Sequence, residues 1–310
     1  MIKTVTLNPA VDKTVEIKDF RVGEVNRITS VRLDPGGKGI NVAKTIKALG
    51  GSSVATGFLA GRNGQYIKEN LDLMEVANDF LFVEGETRTN LKVVDHFRST
   101  NTDINEPGLI EVMEADLKKL EGKLFSDLTE GDLLVLSGSI PSGVPTGIYR
   151  EWAERAGTLG IKVLLDADGE NFAEGIKAKP YLVKPNLEEL EDLLGKKLCT
   201  IDEIVDAGRS MLELGIATVI ISLGADGAVY FHGEQAIYTK GIKVDVKSTV
   251  GAGDAMVAAL AFAIANETSF ENAAILSAAA GTANVASEGT QPPDRNAVAQ
   301  YETQVVLNYL

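Results

Sequence analysis

The chain has 310 residues, 45% of them hydrophobic and 24% charged, with 31 glycines against 9 prolines. That composition excludes a disordered or collagen-like chain, and the length suffices to bury a sizeable core without a disulfide or metal staple. Thirty Lys and Arg against 44 Asp and Glu leave a net charge of −14, which repels nucleic acid and anionic membrane, and no basic run offsets it.

The first residues, MIKTVTLNPA, hold no apolar stretch of export-signal length. The longest nearly apolar run, Ala255 to Ala265, falls far short of the roughly 20 residues that span a membrane. The lone cysteine, Cys199, has no partner for an internal disulfide and fits a reducing cytosol. These features predict a cytoplasmic protein without nucleic-acid or membrane partners. Only His96 and His232 are available for a histidine metal site or a Ser-His-Asp hydrolase, and their contexts differ.

Strand-like runs rich in Val, Ile and Leu begin at Ile2 to Leu7 and recur at Ser53 to Leu59, Leu133 to Leu136, Lys162 to Asp166, Tyr181 to Lys184 and Thr218 to Leu223. Several are apolar on both faces, the pattern of a parallel sheet covered by helices on both sides. Helical patterns lie between them at Gly39 to Leu49, Glu111 to Leu124, Thr146 to Leu159 and Asp202 to Leu214, with Gly50-Gly51, Gly160 and Gly215 as stops. The last third reads as consecutive helices, Asp254 to Ala265, Glu271 to Ala286 and Asp294 to Asn308. Two stretches interrupt this alternation, Asp12 to Asp34 and Thr87 to Asn105. Each carries a short alternating strand (Thr14 to Ile17, Asn90 to Val94) and no helix. They can pair as a small separate sheet, or be two surface excursions of the main one.

Two glycine-rich turns lead into helices. Ser248 to Asp254 follows a strand-like segment, Gly241 to Val246, and its glycines allow several N–H groups to converge at a helix N-terminus, a place suited to phosphate or a developing anion. Asp254 can accept a hydroxyl proton there, or be a first-turn carboxylate favoured by the helix dipole. Met256 stands where a dinucleotide-binding G-x-G-x-x-G needs glycine. The turn Asp34 to Val42 is no Walker loop either, since that motif needs Gly at Arg32 and Ser or Thr at Gly39. It leaves Lys38 as a point charge and Asn41 as a two-way hydrogen-bonder.

Three other segments carry polar groups. Ser222 to Tyr230 reads as strand, glycine turn and strand. Asn186 and Glu189 have the spacing of a capping box. Arg88, Asn90 and Lys92 alternate onto one strand face, toward a common ligand or toward solvent.

Together these segments resemble the PfkB carbohydrate kinases of the ribokinase-like superfamily. Pro35 to Ala43 is similar to the family's N-terminal signature and Ser248 to Met256 to its C-terminal one. Thr6 to Asp12, Ser137 to Pro141 and Lys184 to Asn186 fit before and between them. Within the family the likeness is to the branch of 1-phosphofructokinases and tagatose-6-phosphate kinases. Ser248 departs from the family pattern, which commonly has Asp before Thr249.

The resemblance implies a three-layer α/β/α domain with a mainly parallel sheet (residues 1–11, 35–86 and 107–310) and a small β-sheet lid (12–34 and 87–106) that pairs two copies into a homodimer. It implies an anion hole at Gly251, Ala252 and Gly253, with Asp254 as the base on the acceptor hydroxyl at its ordinary pKa of about 4. ATP is expected along Lys184, Asn186, Ser222, Gly224, Gly227, Thr249, Gly281 and Asn284, with Asn186 and Glu189 holding Mg²⁺ through water. Asp12, Gly37, Asn41, Asn90 and Ser139 would line the sugar site, and Lys38 with Arg88 would hold a phosphate already on the sugar. The reaction implied is ATP-dependent phosphorylation of D-fructose 1-phosphate at the 6-hydroxyl. Tagatose 6-phosphate and fructose 6-phosphate are the alternative acceptors, and a sugar-phosphate-binding protein without catalysis is the alternative of another class.

Overall fold

The computed structural model describes residues 1–310. Ten strands form one sheet. From one edge it runs through Asn78–Phe82, Val54–Leu59, Ile2–Thr6, Leu133–Ser137, Lys162–Asp166, Leu182–Val183 and Thr218–Ser222, all parallel. Gly227–His232, Gln235–Lys240 and Leu307–Tyr309 then extend it antiparallel.

The double-sided apolar runs have a direct structural cause. Leu134, Leu136, Val163, Leu165, Val219 and Ile221 point into a core shared with Trp152, Phe172 and Phe231 on one face. Their alternate neighbours Leu133, Val135, Leu164 and Ile220 point into a second core with Val42, Ile46, Val257 and Leu260 on the other. Each such side chain, fully buried, contributes about 1.5–3 kcal/mol of transfer free energy, so both helical layers are needed to keep the sheet dry. No helix is long and apolar enough to cross a membrane.

A second, four-stranded sheet stands apart from the first. Its order is Ile28–Gly36, Ala10–Ile17, Arg88–Asp95 and Thr100–Asn105. The two central strands are parallel and in register, Asp12 opposite Asn90 and Thr14 opposite Lys92. Alternation then places Asp12, Asn90 and Lys92 on one face and Val15, Leu91 and Val93 on the other. The two interruptions of the βα rhythm are thus one sheet, with strands longer than Thr14 to Ile17 and Asn90 to Val94.

Three sequence expectations need correction. Gly241 to Val246 is irregular rather than a strand. The strand lies just before it, and its partner begins at Gly227 opposite Lys240, so beyond Lys240 nothing remains to pair with. The expected final helix Asp294 to Asn308 covers only Arg295–Glu302. Leu307–Tyr309 instead satisfies the open edge of Gln235–Lys240, pairing with Ile237 to Thr239. The helix expected from Glu111 starts at Glu114, because Leu109–Glu111 pairs with Glu84–Glu86 in a short ribbon.

Candidate active site

Five parallel strands end in polar residues at their C-terminal edge: Thr6, Ser137, Asp166, Lys184 just past Val183, and Ser222. In open α/β sheets this edge is where ligands bind. A cleft of about 1100 Å³ lies there, between the strand ends and the polar face of the small sheet.

The helix Ala252–Ala265 starts at this cleft from Gly251, whose φ of 90° is a left-handed conformation that glycine adopts without strain. No side chain caps this helix, so its first N–H groups remain free at the positive end of the dipole. Asp254 lies in the first turn, buried, and its Oδ2 accepts a 2.8 Å hydrogen bond from Asn41 Nδ2. Asn41 comes from the helix Lys38–Ala48, which starts from Gly37 at φ 120° and also lacks a side-chain cap. A β-carbon at Gly37 would lie 2.6 Å from Thr6 Cγ2, which is why this turn requires glycine.

Below these two helix ends lies a buried charge cluster. The Asp166 carboxylate, 1% exposed, accepts from Lys38 Nζ at 3.3 Å and stands 3.4 Å from Lys184 Nζ. Burial alone would raise its pKa. The Lys184 and Lys38 ammoniums outweigh burial and hold it below the usual carboxylate range. Burial, and after it the Asp166 charge, pushes Asp254 the other way, to about 6, despite Lys38 and the Asn41 hydrogen bond. This differs from the ordinary value expected from the sequence, and the cause is a neighbouring carboxylate that sequence reading did not place there. Lys38, although burial disfavours its charge, is raised by Asp166 and Asp254.

Toward the small sheet, Asn90 Nδ2 donates to Asp12 Oδ1 at 3.0 Å. Burial raises the Asp12 pKa, with Asn90 and Lys44 opposing it. Arg88 Nη1 donates to Glu106 O at 3.2 Å, while its buried Nε has no partner. Ser139 Oγ accepts from Asn8 Nδ2 at 3.1 Å.

At the other end, Asn186 and Glu189 form the capping box reciprocally, each bond 2.8 Å. Burial raises the Glu189 pKa. Ser222, Gly224, Gly227, Thr249 and Gly281 line this end of the cleft. Lys184 reaches beneath the helix start, where a β-carbon on Gly253 would lie 3.2 Å from its Nζ.

Of the residues the resemblance assigns to the sugar, nucleotide and phosphoryl-transfer sites, all but Asn284 line this one cleft. Asn284 is 3% exposed and sits behind Gly251, donating from Nδ2 to Gln291 O at 3.2 Å.

Sequence reading missed several groups. Asp166 had a usable signal, an acidic residue ending an apolar strand. Ile242, Val244 and Val246, with Ala278 and Val285, give the cleft apolar walls suited to a flat heterocycle, but they fall in a segment misread as a strand and on a helix rich in small residues. Lys44, 2% exposed, donates to Pro35 O at 2.6 Å and Thr290 O at 2.8 Å, tying the first glycine turn to the loop after helix Phe270–Val285. Burial lowers its pKa to about 8.

Comparison with known proteins gives a consistent result. Residues 5–297 match the pfkB family carbohydrate kinases. The chain is 38% identical to a 1-phosphofructokinase of Bacillus subtilis over 93% of both chains. It is 35% identical to one of Borreliella burgdorferi over 91% of both. Among solved structures, phosphofructokinase-2 from Escherichia coli in complex with substrates and products superposes with a TM-score of 0.94 at 30% identity, covering 98% of each chain.

Proposed function

The chain belongs to the pfkB family of carbohydrate kinases, and on that premise we propose that it transfers the γ-phosphoryl group of MgATP to the 6-hydroxyl of D-fructose 1-phosphate, giving fructose 1,6-bisphosphate. The observation that carries this reading is the convergence of Asp254, Lys38 and Arg88 on one cleft. A base at a helix N-terminus suits phosphoryl transfer, and two cations on the acceptor side suit a sugar that already bears a phosphate.

Asp12 and Asn41 hold sugar hydroxyls, with Gly37 bringing backbone close and Asn90 and Ser139 beside them. Asn41 keeps Oδ1 unpartnered while its Nδ2 steadies Asp254. Asp254 takes the proton as the sugar oxygen bonds to phosphorus and the bond to ADP breaks. Charge developing on the phosphoryl oxygens meets the free N–H groups at Gly251 to Gly253 and the Lys184 ammonium.

The polar groups at the nucleotide end fit Mg²⁺. The buried Asp166 Oδ2 has no partner, and Asn186 and Glu189 add oxygen donors of the kind that Mg²⁺ binds. Asn186 and Glu189 would hold the ion through water, where it would neutralise phosphate charge.

The small sheet acts as a lid over the sugar, and its outer face pairs with a second copy. Val31, Leu33 and Ile104 are 52%, 42% and 50% exposed on that face, an apolar surface that water alone would cover. Light scattering should report twice the 33.0 kDa chain mass, and a monomer at micromolar concentration would remove the pairing. The cytoplasm, where ATP and sugar phosphates are kept, is the compartment this reaction requires.

An ADP-release assay with fructose 1-phosphate, fructose 6-phosphate, tagatose 6-phosphate and fructose tests the acceptor. The highest kcat/KM is expected for fructose 1-phosphate, in keeping with the two 1-phosphofructokinases above. The similarity to phosphofructokinase-2 makes fructose 6-phosphate the rival, and its preference would move the existing phosphate to the other end of the sugar.

A further inference from the structure

Lys92 has no part in the reaction as described, yet it makes the one side-chain hydrogen bond that joins the small sheet to the loop preceding Asp254. Its side chain is 11% exposed, and its Nζ donates to Ser248 Oγ at 3.2 Å. It lines an open cavity of about 200 Å³ together with Asp12, Asn90, Asp103, Val250 and Thr290. Asp103, 3.9 Å away with a 51% exposed side chain, is a distant and screened partner. Ser248 is the principal one.

Both ends of this bond are fixed. Lys92 lies on strand Arg88–Asp95, on the same face as Arg88 and Asn90. Asn90 is locked to Asp12, so the strand's position is also that of the sugar-binding side chains. Ser248, 1% exposed, has its backbone N–H bonded to Val285 O at 3.2 Å. Its Oγ accepts from Val250 N at 3.3 Å as well as from Lys92. Gly251 and the free helix N-terminus follow directly. Without Lys92, nothing on the strand would hold the serine hydroxyl.

We propose that Lys92 is a positioning residue which, through Ser248, sets the phosphoryl-transfer loop according to the position of the sugar-binding strand. The loop is thereby in register when the small sheet is closed on an acceptor. This rests on the kinase reading given above, and its test includes a readout independent of turnover.

Lys92→Met keeps the length of the side chain and removes its charge. Hydrogen exchange at residues 247–254 of the ligand-free protein should then speed up, with exchange across the large sheet unchanged. Unaltered exchange in that segment overturns the proposal whatever the activity. With saturating MgATP and fructose 1-phosphate, Lys92→Met should lower kcat on the order of tenfold, the worth of one charged hydrogen bond, with the KM for ATP nearly constant. Ser248→Ala should cost about as much, and the double variant no more than either single one. Lys92→Arg should recover most of the rate. Additive losses, or a loss confined to the KM for the sugar, overturn the proposal. A wild-type enzyme that turns over no sugar phosphate refutes the kinase reading and leaves exchange to decide this one. If Lys92→Met does not fold, the exchange comparison is made with Ser248→Ala.

Discussion

The helices Lys38–Ala48 and Ala252–Ala265 both enter the cleft from a glycine at positive φ, and neither has a side-chain cap. Two helices away from the reacting centre, Ile201–Glu213 and Arg295–Glu302, are instead capped by the side chains of Thr200 and Asp294. The two at the cleft differ in the charge at the first turn. Lys38 is a cation at the positive end of a dipole, an arrangement that costs about 0.3–1 kcal/mol, and Asp166 holds it there. Asp254 is an anion where the dipole favours one, yet burial and Asp166 push its pKa up. Lys38 opposes the dipole of its helix while burial offsets what Asp254 gains from its own, and the Asn41–Asp254 hydrogen bond joins the two ends into one device.

That contrast breaks first at Asp254. Asp254→Asn should reduce kcat by about 10³-fold, within the range for a lost general base, with little change in sugar binding. Steady-state kinetics with less than a tenfold loss would remove Asp254 from the mechanism. Lys38→Met should raise the KM for the phosphorylated sugar by about ten- to a hundredfold and leave that for ATP almost unchanged. The reverse split would exchange the roles of the two helix ends.

The smallest effect sharpens the comparison through stability. A carboxyl whose folded pKa is raised from 3.8 to about 6 contributes fully below its unfolded value, and that contribution is lost as pH rises through 6. At pH 7.5, therefore, Asp254→Asn should melt about two to four degrees above wild type, and at pH 4 the two curves should converge. A lower Tm at pH 7.5 would mean that the two lysines need the Asp254 charge more than burial disfavours it.

Much of this was legible in the sequence because the relevant signals are local. Runs such as Leu133 to Leu136 announce a doubly covered strand, and each glycine turn announces an open helix start. The residues at the reacting centre could be named because their motifs are contiguous. What stayed hidden depends on distant partners. Asp166 needs Lys38 and Lys184 before its charge means anything, and the elevation of Asp254 follows only from that pairing. The end of the strand at Lys240 was set by where its partner begins, and Leu307–Tyr309 became a strand only because another edge was open. Asn284 reads as a ligand group beside Gly281, but on its helix it turns inward, behind Gly251.

The position of the strand Ile2–Thr6 bears on how the protein is made. It is made before the other nine strands of its sheet, and it ends in the interior of that sheet between Val54–Leu59 and Leu133–Ser137. At synthesis rates of about 5–20 residues per second, its apolar side chains wait on the order of ten seconds for their second neighbour. Asn41 waits longer still for Asp254. Nascent chains therefore carry an unfinished sheet edge and no assembled reaction centre until the helix bearing Asp254 has been made.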